Sequence, residues 1–386
     1  MRIFRLYSAV IIAALLSACG GPGVSPSAIA PSDTTVSLQQ SIVHSSSAGA
    51  PSITVKEYRL SGYTGGTTIA VTSDESIWTG TDQNSGGQQG VLRVHGKSTT
   101  FYPFNPAQPY PDSGGTTLLA TSNGRVWSIG LDDYYASAST TQATLGPIVP
   151  HTNTSGYVWG PGTIGPDGNV WYSVYGAPMG YDGCNGPDCP PEYLVKVNQN
   201  ANGGPPAMYK PPQYPNGNGT EPNVVAVGPD NDIWLGGTGM PNVTGGTGFD
   251  RYSTSGVLLG TVPMKMNYLM VAAVAGPDHN MWVLGGDDVF RVTPSGATTD
   301  YRVPTSNSGP SYITVGGDGA LWFTEAVSGK LGRITTAGKI TEYTIPNAGG
   351  QNNLVLGQIV RGFERNELWI GGGGYGRSAA LVQVII

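Results

Sequence analysis

Aspartates in glycine-rich turns are the most regular candidates for chemistry in this 386-residue sequence. The segments GPDG, GPDND and GGDG each hold an aspartate beside glycine or proline, and clustered carboxylates can bind calcium. These segments lack the ligand at every second residue of an EF-hand loop, whereas a tight hairpin needs aspartate and glycine at such places. We therefore interpret the aspartates as turn residues and expect no metal site in them.

Other acid–base side chains are scattered along the chain. His95 and His279 fall in predicted hairpin turns and His151 in a connecting segment, so we interpret all three as surface residues. The adjacent Asp132 and Asp133 are typical of a solvated loop more often than of a catalytic pair. The sequence contains no GxSxG motif and no cysteine placed as a nucleophile.

Two cysteines, Cys184 and Cys189, lie in the segment YDGCNGPDCPP. In an exported protein this spacing within a glycine- and proline-rich loop predicts a disulfide. A metal site is disfavoured because no histidine or further cysteine stands nearby.

The aspartate turns lie just before a tryptophan that recurs along the chain. It occurs seven times, at a mean spacing of about 48 residues, close to that of four-stranded propeller blades. Residues 312–346 show the whole unit, with four β-branched and aromatic runs joined by three tight turns. We predict an all-β, seven-bladed β-propeller whose tryptophans pack between blades: Trp78, Trp127, Trp171, Trp234, Trp282, Trp322 and Trp369.

The start of the chain contains a strand that the last repeat unit lacks. The last unit has only three strands, while residues 55–60 (VKEYRL) copy the outer strand at residues 340–345 (ITEYTI). We therefore predict that the N-terminal segment supplies the outer strand of the C-terminal blade. Such pairing would close the ring and cover the exposed edges of both ends.

The N-terminus predicts export. Residues 1–18 combine a short basic region with an apolar core, and they resemble a lipoprotein signal in which Cys19 becomes lipidated. Residues 19–51 are small and polar and predict a disordered tether, which leaves residues 52–386 for the propeller. We expect a lipid-anchored envelope protein, at the outer membrane or periplasmic face of a diderm host or the extracellular face of a monoderm host.

Composition agrees with an exported all-β protein. The chain has 59 glycines, 30 prolines and only 11% charged residues. Once Arg2 and Arg5 leave with the signal, 17 basic residues face 25 acidic ones, a balance of −8 that argues against nucleic acid as a partner. We expect a monomer without a cofactor.

Long loops in the first four predicted blades would wall one side of the channel mouth. They carry Tyr134, Tyr135 and Tyr181, and Trp159 lies on an adjoining connection. Aromatic side chains suit a sugar ring, a peptide or an aromatic compound. The alternative is that these tyrosines pack the loops against the propeller.

The repeat GGDGALWFTEAVSGKLGRITTAGKITEYTIP, with the copies GPDHNMWVLGGDDVFRVTPSGATTDYRVP and GPDGNVW, resembles the virginiamycin B lyase (streptogramin lyase) propeller family. The resemblance covers most of residues 53–386. It implies the propeller fold and, for members that act as lyases, elimination at the ester of a cyclic depsipeptide. That chemistry uses a histidine base and a magnesium ion held by glutamates.

The family histidine follows Glu-Pro and stands eleven residues before the blade tryptophan. None of the corresponding residues here is histidine, although four of them, Thr67, Thr116, Asn223 and Ser311, could contact a ligand. The full set is Thr67, Thr116, Gly160, Asn223, Val271, Ser311 and, with one extra turn residue, Gly357.

Glu221-Pro222-Asn223 is the nearest match to the family motif. Asn223 replaces the base with an amide, and Gly237 occupies the position of the second metal carboxylate. Glu325 has the equivalent place in the sixth predicted blade. An amide cannot take a proton near neutral pH, and one glutamate is a poor magnesium site, so Glu221, Asn223 and Glu325 are weak catalytic candidates.

Three functions stay open. The favoured one is a lipid-anchored propeller that binds a small molecule, glycan or envelope protein without catalysis. The second is a carbon–oxygen lyase or a hydrolase with relocated residues, Glu221, Glu325 or the pair Asp132 and Asp133, and with magnesium if it is a lyase. The third is a structural protein of the envelope.

Overall fold

The protein is all-β in the part that the computed structural model describes. No α-helix occurs among the described residues, and none of them forms a helix long and apolar enough to cross a bilayer. The described residues are 36–43, 51–83, 89–104, 117–129, 134–137, 139–140, 143–145, 156–158, 162–176, 193–202, 205–211, 221–238, 247–349 and 354–386.

The strands are short except for two of 19 residues each, β2 and β28. In chain order they are β1 Val36–Val43, β2 Ile53–Val71, β3 Ile77–Gln83, β4 Gln89–His95, β5 Ser98–Pro103, β6 Thr117–Ala120, β7 Arg125–Ile129, β8 Tyr134–Ser137, β9 Thr144–Leu145, β10 Gly156–Val158, β11 Thr163–Ile164, β12 Val170–Gly176, β13 Tyr193–Val197, β14 Ala207–Tyr209, β15 Glu221–Val227, β16 Ile233–Thr238, β17 Thr247–Tyr252, β18 Leu258–Met264, β19 Ala272–Ala275, β20 Met281–Gly285, β21 Asp288–Val292, β22 Thr298–Arg302, β23 Pro310–Val315, β24 Leu321–Glu325, β25 Lys330–Ile334, β26 Ile340–Thr344, β27 Val355–Arg361 and β28 Glu367–Ile385.

Strand pairing gives five separate blades and one larger sheet, which corrects the prediction of seven blades. The five blades are antiparallel sheets of four or five strands, β6–β9, β10–β14, β15–β18, β19–β22 and β23–β26. The sixth sheet has seven strands and joins both ends of the chain through β2 and β28. Glycine allows this fusion, because a Cβ on Gly373 would lie only 1.3 Å from the carbonyl oxygen of Gly65.

The two ends of the chain pair as the sequence predicts. Thr54–Leu60 of β2 runs antiparallel to Ala379–Ile385 of β28, with Thr54 opposite Ile385. The structure differs in the preceding segment, where β1 lies within the predicted tether and pairs with the other side of β2. The first half of β2 is therefore flanked on both sides.

The recurring tryptophans form the layer between neighbouring sheets. Trp234, for example, is fully buried and packs with Met281 and Val283 of the next blade. The other six are also buried. Their position confirms that they are core residues.

The turn aspartates form hydrogen bonds with these tryptophans. In four blades the carboxylate four residues before the tryptophan accepts a hydrogen bond from the indole Nε1. In three of them a lysine or arginine of the next strand also pairs with that carboxylate, as Arg333 does with Asp318 at 2.7 Å. These contacts support the interpretation as turn residues. The four bonds are Trp171 to Asp167 at 3.1 Å, Trp234 to Asp230 at 2.8 Å, Trp282 to Asp278 at 2.9 Å and Trp322 to Asp318 at 3.0 Å.

Each blade has two ends, which we name by their connections. The turn face holds the tight turns between the first and second strands, such as residues 228–231 and 276–279. The loop face holds the loops between the second and third strands, such as residues 326–329. The innermost strand of each blade runs from the loop face to the turn face.

Candidate ligand-binding channel

A cavity of about 460 Å³ lies where the innermost strands converge. Its lining comes from β6, β11, β15, β19, β23 and β27 and from the turns that follow β15 and β19. Because six inner strands contribute, the cavity is the central channel of the propeller. It reaches the turn face, where Asn231 and His279 stand at its rim.

The wall of the channel combines apolar and polar surface in similar amounts. Residues 225–227 and 272–275 contribute valine and alanine, while Thr117, Thr163 and Tyr312 contribute hydroxyl-bearing side chains. Burial raises the pKa of Tyr312 to about 12, which keeps its phenol uncharged at neutral pH. The described lining includes no aspartate, glutamate, lysine or arginine, so the channel suits an uncharged ligand.

Gln358 on β27 is the main polar side chain that crosses between inner strands. Its Oε1 accepts hydrogen bonds from the backbone N–H groups of Ile69 and Leu118, both at 3.1 Å. Its Nε2 donates to the carbonyl oxygen of Leu118 at 2.9 Å. One amide thus satisfies three backbone groups of two other inner strands, β2 and β6.

Three of the predicted binding residues lie elsewhere than in the lining of this cavity. Ser311 is buried and donates its hydroxyl to the carbonyl oxygen of Gly309 at 2.9 Å. The backbone of Thr67 faces Gly357 so closely that a Cβ on this glycine would lie 2.0 Å from the Thr67 carbonyl oxygen. Tyr135 is buried against Trp127, with ring centroids 4.9 Å apart.

Arg125 lies over the Tyr135 ring at 4.3 Å from its centroid, and the Tyr135 hydroxyl donates to Asn202 at 3.3 Å. This tyrosine therefore packs within its own region of the protein.

For three other predicted residues the structure gives the strand to which each belongs. Tyr134 belongs to β8, while Glu221 and Asn223 belong to β15, where the register shifts between Pro222 and Val224. Asn223 thus lies at an irregularity next to the loop face. Outside the described residues lie Cys19, Thr116, Asp132, Asp133, His151, Trp159, Tyr181, Cys184 and Cys189.

Glu325 at the end of β24 is fully buried at the loop face. Its Oε2 accepts a hydrogen bond from the Ser328 hydroxyl at 3.0 Å, while its Oε1 has no hydrogen-bond partner among the described residues. Burial, and then the neighbouring carboxylate of Glu342, raise the pKa of Glu325 to about 7. Hydroxyl groups and Lys330 offset only part of this shift.

Glu342 has the opposite environment. Its carboxylate accepts from the backbone N–H and the hydroxyl of Thr305, both at 2.8 Å, and pairs with Lys330 at 2.9 Å. Burial alone would raise the pKa of Glu342, but these bonds outweigh it and lower the pKa. Near pH 7 the two carboxyl groups therefore differ, because Glu342 is charged while Glu325 is near the midpoint of its titration.

Comparison with known proteins shows which proteins this chain resembles in sequence and fold. Residues 197–374 match the model of the virginiamycin B lyase family. A virginiamycin B lyase from Nocardia farcinica is 34% identical over 87 residues, which are 22% of this chain and 31% of the relative. A catalytically inactive virginiamycin B lyase variant from Staphylococcus aureus, solved with quinupristin, is 20% identical with a TM-score of 0.65, over 86% of this chain and 99% of that one.

The chain carries a virginiamycin B lyase-like β-propeller. A streptogramin B lyase structure agrees in fold at a TM-score of 0.63 and 20% identity, over 86% of this chain and 98% of that one. The extracellular domain of a hybrid two-component system from Bacteroides thetaiotaomicron has a TM-score of 0.54 at 12% identity, over 83% of this chain and 39% of that one.

This virginiamycin B lyase-like propeller contains site residues that sequence reasoning missed. Gln358 and Tyr312 line the channel, and His279, interpreted as a surface residue, stands at the channel rim. A glutamine in the apolar run LGQIV was a signal for Gln358. Nothing in the sequence indicated that His279 and the inner strands of other blades share one cavity.

Proposed function

We propose that this propeller binds a small uncharged molecule in its central channel and does not open an ester. The observation that carries the proposal is the chemistry of the channel lining, which offers apolar surface, hydroxyl groups, the amides of Asn231 and Gln358 and the imidazole of His279. A cavity of about 460 Å³ falls within the range of small-molecule sites, roughly 300–1,000 Å³. Its size favours a small molecule or a short sugar over a protein partner.

The lyase alternative has less support, because the described side chains place Glu325 away from the cavity and provide no magnesium site. Elimination requires a base beside the substrate, and Glu325 is fully buried outside the lining of the cavity. The residues also do not fit a magnesium site, because Gly237 stands at one family position and the described residues include no group of three acidic, histidine or cysteine side chains that could hold a metal ion. No step through magnesium follows from this arrangement.

We also propose that the protein is exported and held to a membrane by lipid on Cys19. Residues 1–18 support export, and the likeness of the fold to an extracellular domain is consistent with it. Labelled palmitate should enter the full chain and should not enter a Cys19→Ser variant. Labelling of the serine variant would contradict anchoring at this residue.

Calorimetric titration with a streptogramin B depsipeptide, a neutral monosaccharide and a neutral disaccharide tests the binding function. Ala273→Phe would fill the channel with a benzyl group, whereas Thr299→Phe adds the same group to an exposed position of β22. We expect at least one probe to bind with unchanged mass, and binding to weaken about tenfold or more in Ala273→Phe alone, since about 1.4 kcal/mol corresponds to a factor of ten.

Two results would contradict the proposal. Ring opening of the depsipeptide, seen by mass analysis, would establish an enzyme. Binding of none of the probes, or equal binding by both phenylalanine variants, would exclude the channel as their site.

A further inference from the structure

The strand β1 decides where the N-terminal segment reaches the propeller. It runs antiparallel to the first half of β2, with Val36 opposite Leu60 and Val43 opposite Ile53. The chain therefore arrives at Val36, crosses the height of the blade along β1, and returns along β2. The two ends of β1 lie at opposite faces of the propeller.

The arrival point lies at the loop face. Beyond Leu60, β2 continues past Thr64, which pairs with Ser378 in the segment of β28 that joins its two halves. The other end of β1 lies at the turn face, because Ile386, beside the partner of Thr54, donates its N–H to Asn366 in the turn before β28. Without β1, the chain would reach the propeller at this turn face.

We propose that β1 turns the loop face of the propeller toward the membrane that carries the lipid on Cys19. The inference rests on the proposed lipid anchor and adds to it an orientation. Sixteen residues lie between Cys19 and Val36, and if they form the predicted tether, a flexible chain of this length has a mean end-to-end distance of roughly 23 Å. The eight residues of β1 span about 27 Å, so the loop face would on average lie nearer the membrane than the turn face.

The loop face exposes both apolar and ion-paired side chains. Leu269 and Val327 expose apolar side chains there, while Arg302 pairs with Asp287 and Asp288. Exposed apolar residues also occur on the turn face, so they do not decide the orientation. The register of β1 decides it.

The orientation has a consequence for ligand access. Asn231 and His279, at the rim of the channel, lie on the turn face and would point away from the membrane. A soluble ligand could then enter the channel without passing between the protein and the lipid.

Energy transfer to an acceptor-labelled lipid tests the orientation. In the full lipidated chain, with Cys184→Ser and Cys189→Ser, a donor dye is placed by Val327→Cys on the loop face or by Phe363→Cys on the turn face. Both positions are exposed, at 44% and 38%. The protein is reconstituted into vesicles through the lipid on Cys19.

A second pair of variants separates the role of β1 from that of the anchor. Gln39→Pro with Gln40→Pro removes two backbone donors from the strand, whereas Ser27→Pro with Ala28→Pro places the same change in the predicted tether. We expect higher transfer from position 327 than from position 363, loss of this difference in the β1 variant, and no loss in the tether variant.

Equal transfer from both positions in the otherwise unaltered chain, or higher transfer from position 363, would overturn the orientation while leaving the anchor in place. Retention of the difference in the β1 variant would also overturn the role of β1. A chain that carries no lipid and does not bind the vesicles would overturn the anchor itself, before any transfer is measured.

Discussion

Gln358 and Leu118 are joined by two hydrogen bonds, although 240 residues separate them in the chain. The glutamine Oε1 accepts from the Leu118 N–H at 3.1 Å, and its Nε2 donates to the Leu118 carbonyl oxygen at 2.9 Å. The inner strand of a propeller presents unpaired backbone groups to the channel, and this side chain completes those of two strands. The same Oε1 also accepts a hydrogen bond from the backbone N–H of Ile69, so β2 contacts this side chain as well.

Gln358→Ala should therefore destabilise the protein. The change leaves two N–H groups and one carbonyl group without their partner, and we expect the free energy of unfolding to fall by about 3 kcal/mol, measured by urea denaturation. Gln358→Glu is the matched control, because a carboxylate keeps the acceptor and loses the donor. A loss below about 0.5 kcal/mol for the alanine variant would show that water replaces the amide.

Glu325 should make stability depend on pH. Its pKa rises from 4.5 in the unfolded chain to about 7 in the folded one, so the folded state holds the proton more tightly. Stability should be unaffected by Glu325 below pH 4.5, fall as pH rises, and be about 3 kcal/mol lower above pH 7. Glu325→Gln should abolish this loss, as seen in unfolding experiments between pH 4 and pH 8.

Glu342→Gln serves as the control for this experiment. The pKa of Glu342 is lowered, so its contribution is present above its unfolded pKa and disappears as pH falls. The glutamine variant should therefore be less stable than the unaltered protein at neutral pH and approach it in acid. A parallel pH dependence for the Glu325 and Glu342 variants would contradict the assignment.

Asp318 should act as a structural residue of its turn. Asp318→Ala removes the acceptor of the Trp322 indole and the partner of Arg333, and we expect a loss of about 2 kcal/mol in thermal unfolding. Asp300→Ala, at an exposed position of β22, should change stability by less than about 0.5 kcal/mol. A rise in Tm on addition of calcium that Asp318→Ala abolishes would instead indicate a calcium site.

Local features of this fold could be predicted from the sequence, whereas features that join distant strands could not. The hairpins and the buried position of Trp322 follow from turn residues and strand patterns within one unit. The fusion of two predicted blades depends on Gly373, which approaches the backbone of Gly65 closely only because it lacks a side chain. Such an approach between residues 308 positions apart has no local sequence signal.

The candidate site was harder to predict than the fold. The family resemblance directed attention to Thr67 and Ser311 near the loop face, while the cavity reaches the turn face at His279. Which inner-strand residues share a cavity depends on how the blades are arranged around the ring. The strand β1 was also missed, because the short alternation VSLQQSIV lies between polar segments typical of a tether.

Closure of the ring should depend on the first half of β2 and not on β1. A chain that begins at Ser52 lacks β1 but keeps Ile53, Val55 and Leu60, which are buried against β28. We expect it to unfold cooperatively, with a Tm within a few degrees of the full chain. A chain that begins at Gly62 loses these three side chains, at about 2 kcal/mol each, and exposes the edge of β28.

The combined loss of about 6 kcal/mol is comparable with the whole stability of a typical domain. The shorter chain should therefore lose its cooperative thermal transition or aggregate, as followed by circular dichroism and light scattering. Lys56→Ala in the longer chain is the control, because Lys56 is only half-buried within the same strand. An unchanged transition in the chain that begins at Gly62 would show that the ring closes without pairing of its two ends.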